Sequence, residues 1–417
     1  MKQKLPTFSA FVGIDWADKK HDLCVAAQDD DNPTYSIIDH TPEDLQSWVV
    51  ELRKNYPHGQ IAVALEQSKG ALIYNLLGYE FLTLFPINPK SLARFRESFT
   101  PSGAKGDPTD AGFLWKYVVT FHKDLQSWEP ADEHTRTIAF LVEGRRKVVN
   151  ERTRLTSRLR STLKMYFPQA LDIIDGPLHS KLSLDFLNKW PSLNNIKKAR
   201  EQTVIKFFTT HNSRSKEKID KRLTMLKEAI PLTHDQAVIK SSLMLVKLIL
   251  KQIHDLNSAL AEYDQELKKL YDSHPDKDIF DSFPGVGPAL GPRLIAAWGT
   301  DRDRYDSAES MQKYAGVAPV TKASGKSKIT IRRVACPKFL LQTFHEFAGH
   351  SLEKSIWAKS FYDMMRERGK MHHTAIRALA YKWIRIMYVC WNQSVPYDEV
   401  KYIQALQRAK SPLLGCL

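Results

Sequence analysis

Four carboxylates near the N-terminus could do phosphodiester chemistry. Asp15 lies inside an apolar run, in GIDWA, and Glu66 closes a second one, in VALEQS. A carboxylate within such a run is costly to bury unless a cation or strong donors accompany it. Asp107 and Asp110 sit in KGDPTDAGFLWKYV. Pro108 suits the first turn of a helix, so Asp107 is expected as its N-cap. Positions three apart share a helix face, so both acids can point at one spot. Oxygen donors from two strands and a helix start can hold Mg2+ (or Mn2+), which favours octahedral oxygen ligands and leaves places for phosphate oxygens and water. Two such ions about 4 Å apart clamp the attacking and leaving oxygens of a phosphodiester. Taken singly, each acid has a plain alternative: Asp15 as a turn hydrogen-bonder, Glu66 as a strand-end charge in water, Asp107 and Asp110 as ordinary caps.

A second constellation lies far downstream. Between Val320 and Lys338 there are six Lys/Arg and no acid, and Ser324 stands among them with Lys322, Gly325, Lys326 and Lys328 around it. A serine attacking DNA must reach phosphorus, and cations must neutralise the crowded transition state. Gly325 offers freedom; the lysines with Arg332 and Arg333 offer charge. The alternative is a solvated basic loop that only touches phosphate. Upstream, DSFPGVGPALGPRLIAAWG (residues 281–299) places Gly285 and Gly287 before a helix. That pattern resembles a helix-hairpin-helix, whose backbone N–H groups meet phosphate.

The elements that must position these groups can be read from periodicity. Strands are expected over Phe8–Trp16, His21–Gln28, Tyr35–His40 and Ile61–Glu66, and through FLTLFPIN, with a helix after Thr41 (N-cap) and Pro42 and another through GALIYNLLGY. This is a mixed α/β sheet. From about residue 133 long helices take over. Arg136–Lys164 carries nine Lys/Arg against Glu143 and Glu151, and Arg145, Arg146, Arg152 and Arg154 are its candidate nucleic-acid contacts. Val246, Ile249, Ile253, Leu256, Leu260, Tyr263, Leu267 and Leu270 form an a/d seam, as in a coiled coil that self-associates to a dimer or tetramer, or as in one helix of an ordinary bundle. Residues 168–235 are basic and poorly periodic, and read as a small insert or connector. The expected organisation is a catalytic domain over 1–132, a basic helical and coiled-coil region over 133–278, a mainly helical serine-bearing domain over 279–395, and a loose tail over 396–417.

Composition narrows the partners. The 61 Lys+Arg exceed the 47 Asp+Glu, a formal +14, which points to a polyanion. No apolar run approaches the ~20 residues that span a bilayer, and the N-terminus MKQKLPTFSAF has no signal-peptide core. Nucleic acid is therefore the expected partner, not a membrane, and the expected location is cytoplasmic. Cys24, Cys336, Cys390 and Cys416 form no CxxC pair, which fits a reducing compartment and no zinc ribbon. HEFAGH spaces His345 and His350 five apart, unsuited to a zinc helix. His372 and His373 read as surface or phosphate contacts. GKS at 325–327 lacks the upstream glycine of a phosphate-binding loop, with Val320 in its place.

An Asp strand, a Glu strand and Asp-x-x-Asp on a helix together resemble a RuvC/RNase H-like nuclease core. The order D-E-D-D resembles the DEDD transposases of the insertion sequence 110 family. PGVGPALGPRLIAAWG and DSAESMQKYAGVAPVTKASGK are similar to that family's C-terminal transposase domain, and RERGKMHHTAIRALAYKWIRIMY to its closing helix. The resemblance covers roughly residues 10–165 and 280–392. It departs at RRVACPKFL, where members usually continue with a Lys-x-Gly-Asn-type segment. The resemblance implies that Ser324 is the nucleophile, forming a phosphoserine link to double-stranded DNA, and that Asp15, Glu66, Asp107 and Asp110 bind metal. It also implies a structured guide RNA, the bridge RNA, that pairs with donor and target DNA. The alternative is a metal-dependent, structure-specific nuclease of the junction-resolvase type with no covalent intermediate. A non-enzymatic nucleic-acid scaffold is the third possibility.

Overall fold

The computed structural model describes residues 7–66, 70–99, 107–325 and 327–411. The chain divides into two compact units, Met1–Pro130 and Ala131–Leu417.

The first unit is built on β1 (Phe8–Trp16), β2 (Lys20–Ala27), β3 (Thr34–Asp39), β4 (Gln60–Leu65) and β5 (Leu82–Pro86), in the order β3-β2-β1-β4-β5. The first three strands run antiparallel in sequence, and β4 and β5 lie parallel to β1. Helices α1 (Pro42–Asn55) and α2 (Ala71–Leu76) pack on one side, α3 (Pro89–Glu97) and α4 (Asp107–Phe121) on the other. The alternation along β1 explains both layers. Ala10, Val12 and Ile14 share a core with Trp48 and Leu52 of α1 and Ile73 of α2. Phe8 and Phe11 face the opposite way, toward Leu92 of α3 and Leu114 and Val118 of α4. Burying each such side chain stabilises the fold by roughly 1.5–3 kcal/mol. A strand covered on both faces reads as one apolar run, which is why the sequence shows it so clearly. Thr41 caps α1 as expected, its hydroxyl accepting from the Asp44 N–H at 3.1 Å, with Pro42 in the first turn. The strand order and flanking helices are those of an RNase H/RuvC-like domain.

The second unit is helical. Two long helices, α5 (Glu133–Tyr166) and α11 (Gln236–Asp272), lie antiparallel: Arg145 meets Asp264, and Arg152 meets Asn257. Val246, Ile249 and Ile253 share a core with Leu155, Leu159 and Leu163, while Leu267 joins Ile138 and Val142. The heptad seam is thus filled by α5 of the same chain. Between them, residues read as a connector form α6 (Gln169–Ile174), α7 (Lys181–Lys189), α8 (Leu193–Lys197), α9 (Glu201–Thr210) and α10 (Lys216–Glu228), packed around Phe186, Trp190, Phe207 and Phe208. The turn residues that obscured this periodicity are N-caps: Ser180, Ser192 and Ser215 each accept from a backbone N–H in the first turn.

The C-terminal part comprises α12 (Lys277–Asp281), α13 (Leu290–Trp298), α14 (Ala308–Tyr314), the hairpin β6 (Val320–Ser324) and β7 (Ser327–Ile331), α15 (Lys338–Ser351), α16 (Ile356–Glu367), α17 (His372–Asn392) and α18 (Glu399–Arg408). Its core holds Trp298, Trp357, Trp383 and Trp391, with indole N–H donors satisfied at Trp357 by Tyr397, at Trp383 by Ser351 and at Trp391 by the Gly299 carbonyl. The tail over 396–417 contains α18, tied down where the Glu399 carboxylate accepts from the Ser355 hydroxyl and the Ile356 N–H, both at 3.0 Å; of its last stretch, SPLLGCL, all but Ser411 lies outside the described residues. Among the described residues no helix is long and apolar enough to cross a membrane.

Candidate active site

Strand register gathers the N-terminal acids. Ile14 pairs with Leu65 in the parallel ladder, so Asp15 and Glu66 follow side by side at the carboxyl ends of β1 and β4. The chain leaves β1 toward β2, while β4 returns on the other flank. The carboxyl edge between β1 and β4 is therefore a switch point of the kind where open sheets bind ligands. Gly13, two residues before Asp15, faces α4. A Cβ there would stand 2.1 Å from the Ala111 carbonyl oxygen and 2.4 Å from the Trp115 nitrogen. Only glycine lets the helix backbone lie directly on β1. Side chains two apart share a face, so Asp15 points to the side of the sheet on which α4 packs.

Asp110 is half-buried on α4, with one oxygen 3.1 Å from Arg96 Nη2 of α3. The contact is an ion pair without an aligned N–H, so Asp110 Oδ1 has no hydrogen-bond partner. Asp107 is the first residue of α4, a helical residue where the sequence suggested a cap; its side chain lies outside the described residues.

Sequence reasoning missed a further carboxylate. Asp22 is the antiparallel partner of Asp15, so the two share a face. It is only 5% exposed and makes no side-chain hydrogen bond or ion pair among the described residues. The signal was present, an acid inside the second apolar strand, HDLCVAA. Cys24 lies on the same face beneath Gly13. Burial pushes its thiol up to about 11 against the effect of the Tyr35 hydrogen bond, so it fills space and does not react.

Among the described residues no three metal-ligating side chains stand close enough to hold one ion. The donor set nonetheless fits a hard cation. It is all carboxylate oxygen, it lies along one edge, and it includes the unsatisfied Asp110 Oδ1 and the buried Asp22.

Ser324 occupies a different setting. The stretch expected as a loop is a two-stranded hairpin, because Val320, Thr321, Ile329, Thr330 and Ile331 are β-branched. Ser324 and Ser327 pair across its last rung, exposed, with Gly325 at φ +54° in the two-residue turn. Lys326, the other turn residue, lies outside the described residues. Lys322 and Lys328 are exposed on the strands. The foot of the hairpin is anchored: Val317 and Ala318 are buried, Arg333 Nε donates to the Ala318 carbonyl at 3.3 Å, and Gly316 packs on Cys336, whose sulfur would stand 2.4 Å from an added Cβ. Nothing lies within 4 Å of a Cβ built on Gly325. The tip projects freely from a fixed base.

The other candidate contacts divide unevenly. Gly285 adopts φ +84° and packs against the His350 backbone, where a Cβ would meet carbonyl atoms at 2.8 Å. Its glycine therefore has a packing reason. The Gly287 carbonyl accepts from the Leu290 and Gly291 N–H groups and so starts α13. On α5, Arg145 forms a two-pronged ion pair with Asp264, at 2.6 and 3.2 Å. Arg152 donates to Asn257 at 3.0 Å, and Arg146 lies over the Phe339 ring. These three are occupied by tertiary contacts invisible in local sequence. Arg154 is exposed beside Glu151, and Arg158, Arg160 and Lys164 continue an exposed basic row. Arg152, Arg160 and His179, with Thr153, Thr156 and Ser157, line a concavity on this helix.

Two family models match the chain. A transposase model of the DEDD IS110 type covers residues 12–168, and a model of the transposase IS116/IS110/IS902 family covers residues 277–363. The mini-circle putative transposase for IS117 of Streptomyces coelicolor is 29% identical over 98% of both chains. An uncharacterized 43.6 kDa protein of insertion element IS110, also from Streptomyces coelicolor, is 26% identical over 72% of this chain and 73% of its own. An uncharacterized 44.8 kDa protein of insertion element IS116 from Streptomyces clavuligerus is 24% identical over 91% of this chain and 93% of its own.

Proposed function

The chain belongs to the IS110 family of transposases, enzymes that cut and rejoin DNA, and from that premise we propose that it works through a phosphoserine intermediate. The observation that carries this reading is the placement of Ser324, an exposed hydroxyl at the tip of a hairpin fixed only at its foot and flanked by Lys322 and Lys328. Ser324 Oγ attacks phosphorus of a DNA phosphodiester and gives up its proton. The P–O bond to the leaving deoxyribose oxygen breaks, and that oxygen takes a proton. The ester is retained as phosphoserine, so attack by another DNA hydroxyl restores a phosphodiester and frees the serine. Lys322, Lys328, Arg332 and Arg333 offset the charge on the phosphoryl oxygens.

Asp15, Glu66, Asp107 and Asp110 are proposed to hold Mg2+ or Mn2+, with Asp22 behind them. When bound, the metal supplies Lewis-acid stabilisation of a phosphodiester's charge. Arg96 holds Asp110 in place from α3. A structured guide RNA is proposed as a second nucleic-acid partner, supported by the exposed row Arg154, Arg158, Arg160 and Lys164. Self-association is proposed through a surface other than the heptad seam, which is filled within the chain.

The test is whether DNA cleavage leaves a detergent-resistant protein–DNA complex. The proposal requires one from the native chain and none from Ser324→Ala, with DNA binding intact. Metal-dependent cutting that leaves no complex supports the nuclease alternative.

A further inference from the structure

The histidines that suit no zinc motif form a cluster at the foot of the serine hairpin. His345 of α15 and His373 of α17 have ring centroids 5.4 Å apart, and His372 and His373 are 5.0 Å apart. The Tyr362 hydroxyl of α16 lies 2.8 Å from His372 Nδ1. Arg377 is one turn along α17 from His373, on the same face. Burial, and then the charge of Arg332 just after β7, hold the Arg377 guanidinium below its ordinary pKa. Burial, and then the charges of His373, Arg377 and His372, hold the His345 imidazole below its ordinary pKa.

The charges acting on His345 and Arg377 come from His373, His372, Arg377 and Arg332. Neither the three histidines nor Arg332 or Arg377 makes an ion pair among the described residues. The adjacent acids are already engaged, Glu346 by Arg293 at 2.5 Å and Asp363 by Lys359 at 2.6 Å. The start of α17 has no side-chain cap and no acid in its first turn. Arg332 and Arg377 bring two fixed positive charges beside three imidazoles that can donate hydrogen bonds, a set suited to an anion.

We propose that His345, His372, His373, Arg332 and Arg377 form a subsite for a backbone phosphate of the DNA strand that Ser324 attacks. The occupant follows from position. Ser327 is level with Ser324, and Arg332 stands five residues further along the strand. At about 3.3 Å per residue this is roughly 17 Å. A DNA strand running along the hairpin would bring a phosphate several nucleotides from the attacked one to this foot. The subsite would fix the register of the strand on the hairpin. The inference rests on the reading that this hairpin acts on DNA, but its test needs no cleavage.

The experiment measures binding of the full chain to a labelled duplex of arbitrary sequence over a range of KCl concentrations. His345→Gln with Arg377→Gln should weaken binding several-fold and lower the slope of log affinity against log salt by about 1, as expected for one lost phosphate contact. Thermal stability should be unchanged or higher, because repulsion is relieved. Arg377→Lys should keep the slope, and a loss equal to that of the neutral variant would overturn the assignment in favour of packing. Lys322→Gln with Lys328→Gln is measured alongside. A reduced slope in that pair with an unchanged slope in the cluster variant refutes the subsite and leaves the hairpin reading standing. If the native chain binds no duplex, both fail. If the cluster variant loses affinity for a structured RNA but not for duplex, the anion is an RNA phosphate and the DNA assignment is wrong.

Discussion

The carboxylate edge of the sheet and the serine hairpin solve opposite mechanical problems. Asp15, Asp22 and Glu66 are set by ladder register, and Asp110 by a helix whose backbone touches β1 at Gly13. Nothing there can shift without moving the core. Ser324 stands near the exposed tip of two short strands, anchored at the foot through Gly316, Ala318 and Cys336. The contrast fits a division of labour in which charge must be held in preformed geometry while a nucleophile must travel. Each region carries one informative glycine. Gly13 is needed because there is no room for a Cβ; Gly325 is needed because its φ is +54°, although space is abundant.

The largest expected effect comes from the rigid region. Asp15→Asn or Glu66→Gln should lower DNA cleavage by orders of magnitude while the melting temperature stays level or rises, since clustered negative charge is relieved. Near-native cleavage by Asp15→Asn, measured on a labelled substrate, would remove it from the site. Gly13→Ala should next destabilise the first unit by on the order of 3 kcal/mol, because the new methyl meets helix backbone and not a flexible side chain. Denaturant unfolding followed in that unit checks this; an unchanged midpoint would mean that α4 is not seated on β1 as described.

Acid should separate the two regions again. His21 is fully buried, bonded to His40 at 2.8 Å, and its pKa is lowered to about 4 by burial and then by the His40 charge. The unfolded chain takes up this proton near pH ~6.5 and the folded chain only near 4. Stability from neutral His21 is therefore complete above ~6.5 and declines as pH falls toward 4. Thermal melts from pH 7 to 4.5 should show the first unit losing stability, and a His21→Gln variant should show a shallower decline. The smallest effects belong to the hairpin. Gly325→Ala should cost about 1 kcal/mol of local strain with no change in the melting temperature. Ser327→Ala should cleave much as the native chain does.

Much of this was legible in the sequence where the governing interactions are local. The apolar strands, the Thr41 cap and the D-E-D-D order could be read because burial on both sheet faces and capping leave short-range patterns. Long-range contacts were not legible. Arg145 and Arg152 read only as candidate nucleic-acid contacts, and nothing local announces their partners Asp264 and Asn257, more than a hundred residues away in sequence. The heptad seam looked available to a second copy because its partner α5 is masked by surface charge. Residues 168–235 looked like a connector because Ser-rich cap signals broke the periodicity of short helices. Asp22 escaped notice because an acid in an apolar run becomes informative only when its cross-strand neighbour is known to be Asp15.

The account depends most on the identity of the nucleophile. Reaction of the native chain with end-labelled DNA, quenched before rejoining, digested with protease and mapped by mass spectrometry, addresses this directly. The expected result is a nucleotide adduct on the peptide containing Ser324, at Ser324 itself, and none after Ser324→Ala. An adduct on Ser327 would move the nucleophile across the hairpin rung, and DNA cut with no adduct on any residue would show that water attacks and that the phosphoserine mechanism is wrong.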